Sequence, residues 1–214
     1  RSSAASDVYK RQQQLEIKRK VVRRAYANYS RLDASLVPDI LPTMGSPETM
    51  HYRTKLTPHF DLPAVLRRTH DTDLPVDKSV SVPIGFDNAT TGRVMDIEEC
   101  PIGTHVLNEA MTHERQRVRD SIRSYKNGAT LLLRDSLCSA DSDASTVVTD
   151  HKATVHERVG GTTFSTPAGA FFQNNRSIIP LVMDYVKSQL PSKSSPQYLV
   201  DTYCGSGLFA ICLA

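Results

Sequence analysis

Residues 201–207 read Asp-Thr-Tyr-Cys-Gly-Ser-Gly, and their types and spacing suit a ligand turn. Asp201 follows the apolar run Tyr198-Leu199-Val200, which predicts a buried strand with the acid at its carboxyl end. Gly205 and Gly207 then allow backbone to approach a bound group closely. Such a ligand would lie at the carboxyl edge of a sheet, where open α/β folds hold nucleotides. The third position of the dinucleotide fingerprint falls on Ala210, which its relaxed form accepts, while the Lys-Ser/Thr pair of a phosphate loop is absent. Tight strand-to-helix turns also use paired glycines for packing alone. The motif by itself therefore leaves the ligand's identity open.

The elements that must position this turn are readable from periodicity. Residues 12–33 carry a helical stripe of Leu15, Val22, Tyr26 and Tyr29. A Pro-rich connection (37–47) leads to an alternating segment, 50–61, that predicts a strand. Strands at 79–86 and 93–97 flank turn chemistry at 87–92, and Thr104 is placed to cap a helix running to about residue 126. Strands follow at 130–134, 146–156 and 162–165, with a Ser/Asp-rich surface loop at 135–145. A helix at 175–190, a Pro/Ser linker at 191–196, a strand at 198–202 and the start of another helix complete the chain.

These elements divide the chain into four stretches. Residues 1–11 read as a disordered linker or adapter, 12–35 as a basic helix, and 36–165 as a central mixed α/β domain. Residues 166–214 read as the opening of a parallel α/β sheet. The expected class is thus α+β, a strand-rich domain followed by a truncated α/β one. No internal repeat is present. The first residue is Arg, and residue 214 falls within an apolar pattern without a stop signal, so both ends read as cut.

Composition narrows the class further. With 39% hydrophobic and 23% charged residues, the 214-residue chain is too apolar to be wholly disordered. No apolar run reaches the roughly 18–20 residues that span a bilayer. The net charge of +3 hides an uneven distribution. Lys10, Arg11, Lys18, Arg19, Lys20, Arg23 and Arg24 stand against Glu16 alone within residues 10–24, and the rest of the chain is slightly acidic. That patch suits nucleic acid or another anionic surface, or else a solvated helix face. The four cysteines, at 100, 138, 204 and 212, have no C-x-x-C spacing, so a reduced intracellular protein without a zinc knuckle is expected. The seven histidines form no H-E-x-x-H, and His151 and His156 lack a third ligand, so no metal site is expected.

An acidic strand end followed by x-x-x-G-x-G is similar to the opening motif of class I S-adenosylmethionine-dependent (Rossmann-like) methyltransferases. Residues 164–175, F-x-x-x-A-G-x-F-F-Q-x-N, precede that turn by about thirty residues. The two segments together closely resemble the RNA uracil-5-methyltransferase family. Residues 52–60 (Tyr-Arg-Thr-Lys-Leu-Thr-Pro-His-Phe), 84–86 (Ile-Gly-Phe) and 96–102 (Asp-Ile-Glu-Glu-Cys-Pro-Ile) look like the central domain of its eukaryotic, tRNA-modifying branch. The likeness covers residues 23–214.

The resemblance implies an activity and a site. The activity is transfer of a methyl group from S-adenosylmethionine to uridine C5 in tRNA, at the T-loop uridine. Gln173 and Tyr203 would contact the cofactor, Gly205 and Gly207 would shape its turn, and Asp201 takes the place of the family's motif-opening acid. The Asn that bacterial members carry after the second Gly is Leu208 here. Arg53 and Lys55 alternate along a predicted strand, which suits RNA phosphates. The nucleophilic Cys, which adds at C6 so that C5 becomes nucleophilic, and the base Glu would both lie after Ala214. Cys204 is accordingly read as a small packing residue, and Cys100 has no catalytic counterpart. A monomer is expected, with its compartment open. Two alternatives remain: an RNA-binding module without catalysis, and a ribosomal RNA methyltransferase.

Overall fold

The computed structural model describes residues 4–67, 81–191 and 198–214, with side chains from residue 10 onward. The polar stretch at 68–77, the start of the strand expected at 79 and the linker at 192–196 lie outside the described residues. The chain divides into two compact units, Arg1–Pro47 and Glu48–Ala214.

The first unit is built on helix α1 (Ala4–Tyr29). It begins inside the stretch expected to be disordered, which corrects that expectation. The reason is propensity: residues 1–37 contain no Gly or Pro, and Ala, Gln, Lys and Arg dominate. Arg31 adopts a left-handed φ of 56° and ends the helix where Gly would be usual. The chain then returns along α1. Arg19 Nε donates to the Ile40 carbonyl at 2.7 Å, and Thr43 Oγ1 donates to the Leu15 carbonyl at 2.9 Å. Lys18, Lys20, Arg23 and Arg24 stay exposed.

The second unit contains only antiparallel strand pairs among the described residues. In chain order it has β1 (Lys55–Leu56), β2 (His59–Asp61), α2 (Ala64–Arg67), β3 (Gly85–Asp87), β4 (Val94–Asp96), α3 (His105–Asp120), β5 (Gly128–Thr130) and β6 (Leu133–Leu137). β7 (Ser145–Val148), β8 (Thr154–Val159), β9 (Thr162–Pro167), α4 (Ile179–Gln189) and α5 (Leu208–Leu213) follow. The sheets run β1-β6-β7, β4-β3-β2-β5 and β8-β9.

The single strand expected at 50–61 is two strands in two sheets. Lys55 lies opposite Arg134, and His59 lies opposite Thr130, so one register continues across the break. Pro58 is the cause, because it has no N–H to give to the ladder. Its carbonyl still accepts from Leu131 N at 2.7 Å. The same break separates β5 from β6. Two further boundaries move. β6 extends to Leu137, so Asp135 and Ser136 are buried strand residues and not loop. A turn at 149–153 splits the strand expected at 146–156 into β7 and β8.

Helix α3 lies between two cores. Leu107 and Met111 pack with Leu56 and Leu133, while Val118 packs with Phe60, Ile84, Ile122 and Leu131. It ends at Asp120, short of the expected residue 126. Ser121 Oγ bonds back to the Arg117 carbonyl at 2.7 Å, and a 3-10 turn follows (Ile122–Ser124). Thr104 stands at the N-cap position, but its side chain makes no cap bond. α4 begins at Ile179, with residues 174–178 spent on the irregular approach to it.

The strand expected at 198–202 does not form. Tyr198 and Val200 are exposed, and no strand among the described residues lies beside them. A strand needs a neighbour to satisfy its backbone groups, and an apolar run alone does not provide one.

Candidate cofactor and nucleic-acid site

The glycine turn has the backbone its sequence suggests. Tyr203, Gly205 and Gly207 all take left-handed φ values, 61°, 57° and 77°. Gly207 N donates to the Cys204 carbonyl at 2.8 Å, and Gly207 opens α5. Nothing stands within 4 Å of where a Cβ on Gly205 would sit. The Tyr203 ring is fully exposed. Asp201 Oδ2 accepts from Ala210 N at 3.1 Å, so this carboxylate caps the first turn of α5. Cys204 is exposed and does not pack, which corrects the reading of it as a packing residue. Cys100 packs against the Leu56–Leu107 core.

The second segment reaches the same cluster. Phe172 and Leu208 are both buried with Val159, Phe164, Ile179 and Met183. Phe164 and Phe172 meet at 5.4 Å between ring centres. Apolar burial thus anchors the residue before Gln173 and the residue after Gly207 in one core. Gln173 itself is exposed.

The segment holding Arg53 and Lys55 is bonded directly to this region. Thr54 N donates to the Asn174 carbonyl at 2.9 Å, and Arg53 bridges both Gly103 and Asn175 through backbone. On its other side the segment is fixed by Arg53 N to the Ile102 carbonyl, at 2.7 Å, and Thr104 N to the Arg53 carbonyl, at 3.1 Å. Asn108 holds that loop by accepting from Cys100 N at 2.9 Å and donating to the Cys100 carbonyl at 3.1 Å. Arg53 Nε donates to the Lys55 carbonyl at 2.9 Å. Partial burial, followed by the charges of Arg134 and Arg53, holds the Lys55 ammonium below its ordinary pKa.

Sequence reasoning missed the charged cluster beneath. Arg134 is 1% exposed and donates through Nη2 to Glu157 and through Nη1 to Asn174 Oδ1, the latter at 3.1 Å. Arg176 Nη2 donates to the buried Asp135 Oδ2 at 2.5 Å. Burial pushes Glu157 up to about 7, against the pull of Arg134 and Arg176. The one sequence signal was an Arg closing the apolar run Leu131-Leu132-Leu133, where an unpaired charge would be costly. Its partner, 23 residues away, carried no signal.

No group of three or more His, Cys, Asp or Glu side chains converges among the described residues. His156 Nδ1 lies 2.8 Å from Ser165 Oγ. No described helix is long and apolar enough to cross a membrane.

No family model matches the chain. The tRNA (uracil(54)-C(5))-methyltransferase of Schizosaccharomyces pombe is 44% identical over 204 residues, covering 92% of this chain and 36% of its own length. That of Saccharomyces cerevisiae is 36% identical over 252 aligned positions, covering 93% of this chain and 38% of its own length. The crystal structure of Pyrococcus abyssi tRNA (uracil-54, C5)-methyltransferase in complex with S-adenosyl-L-homocysteine superposes with a TM-score of 0.58 at 17% identity. That match covers 95% of this chain and 54% of the archaeal one, and it establishes a shared mixed α/β fold. Over more than nine-tenths of its length the chain is similar to tRNA (uracil(54)-C(5))-methyltransferases, of whose own length it spans little more than a third.

Proposed function

We propose that the chain is the RNA-facing part, and the first cofactor-approaching step, of an S-adenosylmethionine-dependent methyltransferase acting on uridine C5 in tRNA. The observation that carries this reading is the bond between Thr54 and Asn174. The Arg53–Lys55 segment, which this reading gives to phosphate, is thereby bonded to Asn174, the neighbour of Gln173, which this reading gives to cofactor. A methyl transfer to RNA needs those two functions side by side. The similarity to tRNA methyltransferases over nearly the whole chain supports the substrate class.

The residues fit the cofactor. The Gln173 amide is exposed and offers both donor and acceptor, Tyr203 offers an aromatic face, and Gly205 leaves open space at its backbone. S-adenosylmethionine, when bound, supplies an electrophilic sulfonium methyl. Gln173 and Tyr203 would orient it, with Gly205 and Gly207 shaping the approach. Asp201 acts through α5, whose first turn it caps. The target uridine must leave the stack to reach the methyl, and Arg53 and Lys55 would hold phosphates while it does.

On this reading residues 166–214 open a Rossmann-like catalytic domain whose nucleophilic Cys and base Glu belong to sequence after Ala214. Residues 36–165 are the RNA-facing domain and residues 12–35 a basic helix joined to it. The protein works as an intracellular monomer without a metal. The full-length protein incubated with unmodified tRNA and labelled S-adenosylmethionine should yield 5-methyluridine. Absence of label at uracil C5 sinks the proposal, and label on ribosomal RNA alone redirects it.

A second reading has one observation behind it. The exposed 198–200 segment, with no described strand beside it, suits a chain that binds RNA but not cofactor. Salt-dependent tRNA binding by the 214-residue chain, without S-adenosylhomocysteine binding in calorimetry, is its signature.

A further inference from the structure

The two strand residues Arg134 and Asp135 reach residues on either side of Asn175. Arg134 holds the Asn174 side chain at 3.1 Å, and Asp135 accepts from Arg176 at 2.5 Å. The Asn174 carbonyl is held in turn by Thr54 N at 2.9 Å. Gln173, exposed, therefore stands between a buried Phe172 and an Asn174 fixed by both backbone and side chain. Glu157, on β8, closes the arrangement by accepting from Arg134 Nη2. Such a buried pair is a poor way to gain stability, because well-packed apolar residues of similar volume usually serve as well or better. Its geometry instead serves position: the planar guanidinium forks between Glu157 and Asn174, which a point charge does not do.

We infer that the Arg134–Glu157 pair is a positioning device for the cofactor-binding segment, setting where Gln173 meets the cofactor. This rests on the methyltransferase reading above. Neither residue touches cofactor or RNA; both act through Asn174.

The test uses the full-length protein carrying R134M/E157L, R134K or N174A. Thermal melts, tRNA affinity, and kcat and KM for S-adenosylmethionine are measured for each. R134M/E157L should keep a cooperative melt and unchanged tRNA affinity, while KM for S-adenosylmethionine rises about ten-fold or more, since misplacing a binding group by about 1 Å costs up to about a hundred-fold. R134K, which can reach one partner but not fork, should fall between. A folded R134M/E157L protein with unchanged KM overturns the inference. Should that protein fail to fold, N174A decides, since it removes only the half-buried link; an unmoved KM there also overturns it. An unmutated protein that transfers no methyl to uracil C5 removes the parent reading and this inference together, whereas an active protein with unmoved KM removes this inference alone.

Discussion

Thr54 N donates to the Asn174 carbonyl at 2.9 Å across 120 residues of sequence. That bond joins the segment carrying Arg53 and Lys55 to the segment carrying Gln173. Lys55 lies near two other cations, Arg53 and Arg134, and no ion pair to it is formed among the described residues. A lysine so placed is suited to an incoming phosphate. K55E should weaken tRNA binding and reduce the slope of log affinity against log salt by about 1. Filter binding across a salt series measures both. An unchanged slope would place Lys55 outside the interface.

The Arg134–Glu157 pair should respond unequally to loss of either member. Glu157 can take up a proton when Arg134 is removed, because burial already pushes it up to about 7. Arg134 cannot shed its charge when Glu157 is removed. E157L alone should therefore cost about 3–5 kcal/mol, R134M alone less, and the double variant least. Urea denaturation of the three proteins gives the order. Equal costs for the two single changes would contradict the argument.

Stability should also fall with rising pH on account of the same carboxyl. In the unfolded chain Glu157 titrates near its ordinary 4.5, and in the folded protein near 7. Between those values the folded state binds the extra proton. Its contribution is complete below about 4.5 and is lost as pH rises through about 7, with a slope approaching about 1.4 kcal/mol per pH unit. Asp96 acts oppositely. Burial raises its pKa, but hydrogen bonds from Arg115 and Ile84 N and the charges of Arg115 and Arg119 outweigh this, and the net direction is down. Its contribution is present above the ordinary carboxylate value and is lost as pH falls through the lowered one. E157Q should flatten stability between pH 5 and 7 by about one proton's slope. D96N should flatten only the acid limb. Denaturant midpoints across pH report both.

Arg115 is a structural cation whose replacement should be severe. It is 4% exposed and donates to both Asp96 carboxylate oxygens, at 2.8 and 3.0 Å, and to the carbonyls of Ile84, at 2.9 Å, and Ile97. R115M should cost about 3–5 kcal/mol, since four acceptor atoms, two carboxylate oxygens and two carbonyls, lose their donor. R115K should rescue little of this, because an ammonium does not reproduce the fork. Thermal melts compare the two. Full rescue by Lys would show that charge alone suffices there.

Two glycines separate backbone need from chance. Gly128 has φ 131°, and a Cβ on it would stand 2.2 Å from the Phe60 carbonyl oxygen, where β5 meets β2. G128A should cost more than about 3 kcal/mol or abolish folding, through strain and a shifted ladder. Gly161 has no neighbour within 4 Å of a Cβ and no left-handed φ. G161A should be neutral or stabilise by about 0.4–1 kcal/mol through the unfolded chain. Melting both proteins tests the contrast.

Local chemistry determined much of this protein without tertiary help. Asn88 and Gly92 specify the turn between β3 and β4, with Asn88 Oδ1 accepting from Thr90 N and Thr91 N at 2.9 and 3.0 Å. Paired glycines specify the left-handed turn into α5, and helix formers without Gly or Pro specify α1. The spacing of Asp201, Gly205 and Gly207 marked a candidate ligand turn, whereas Gln173 and Tyr203 became candidate site residues only through the resemblance to the RNA uracil-5-methyltransferase family. Tertiary structure decided what those residues do. It gave Asp201 to a helix cap, because Ala210 N needed an acceptor. It divided one apolar alternation into two sheets, because Pro58 interrupts the ladder while the register continues. It left Tyr198 and Val200 exposed, because an apolar run becomes a strand only beside a partner. It also brought Arg134 to Glu157 and Asn174. Sequence spacing cannot show that a buried charge will find its partners 23 and 40 residues away, because only chain folding sets those distances.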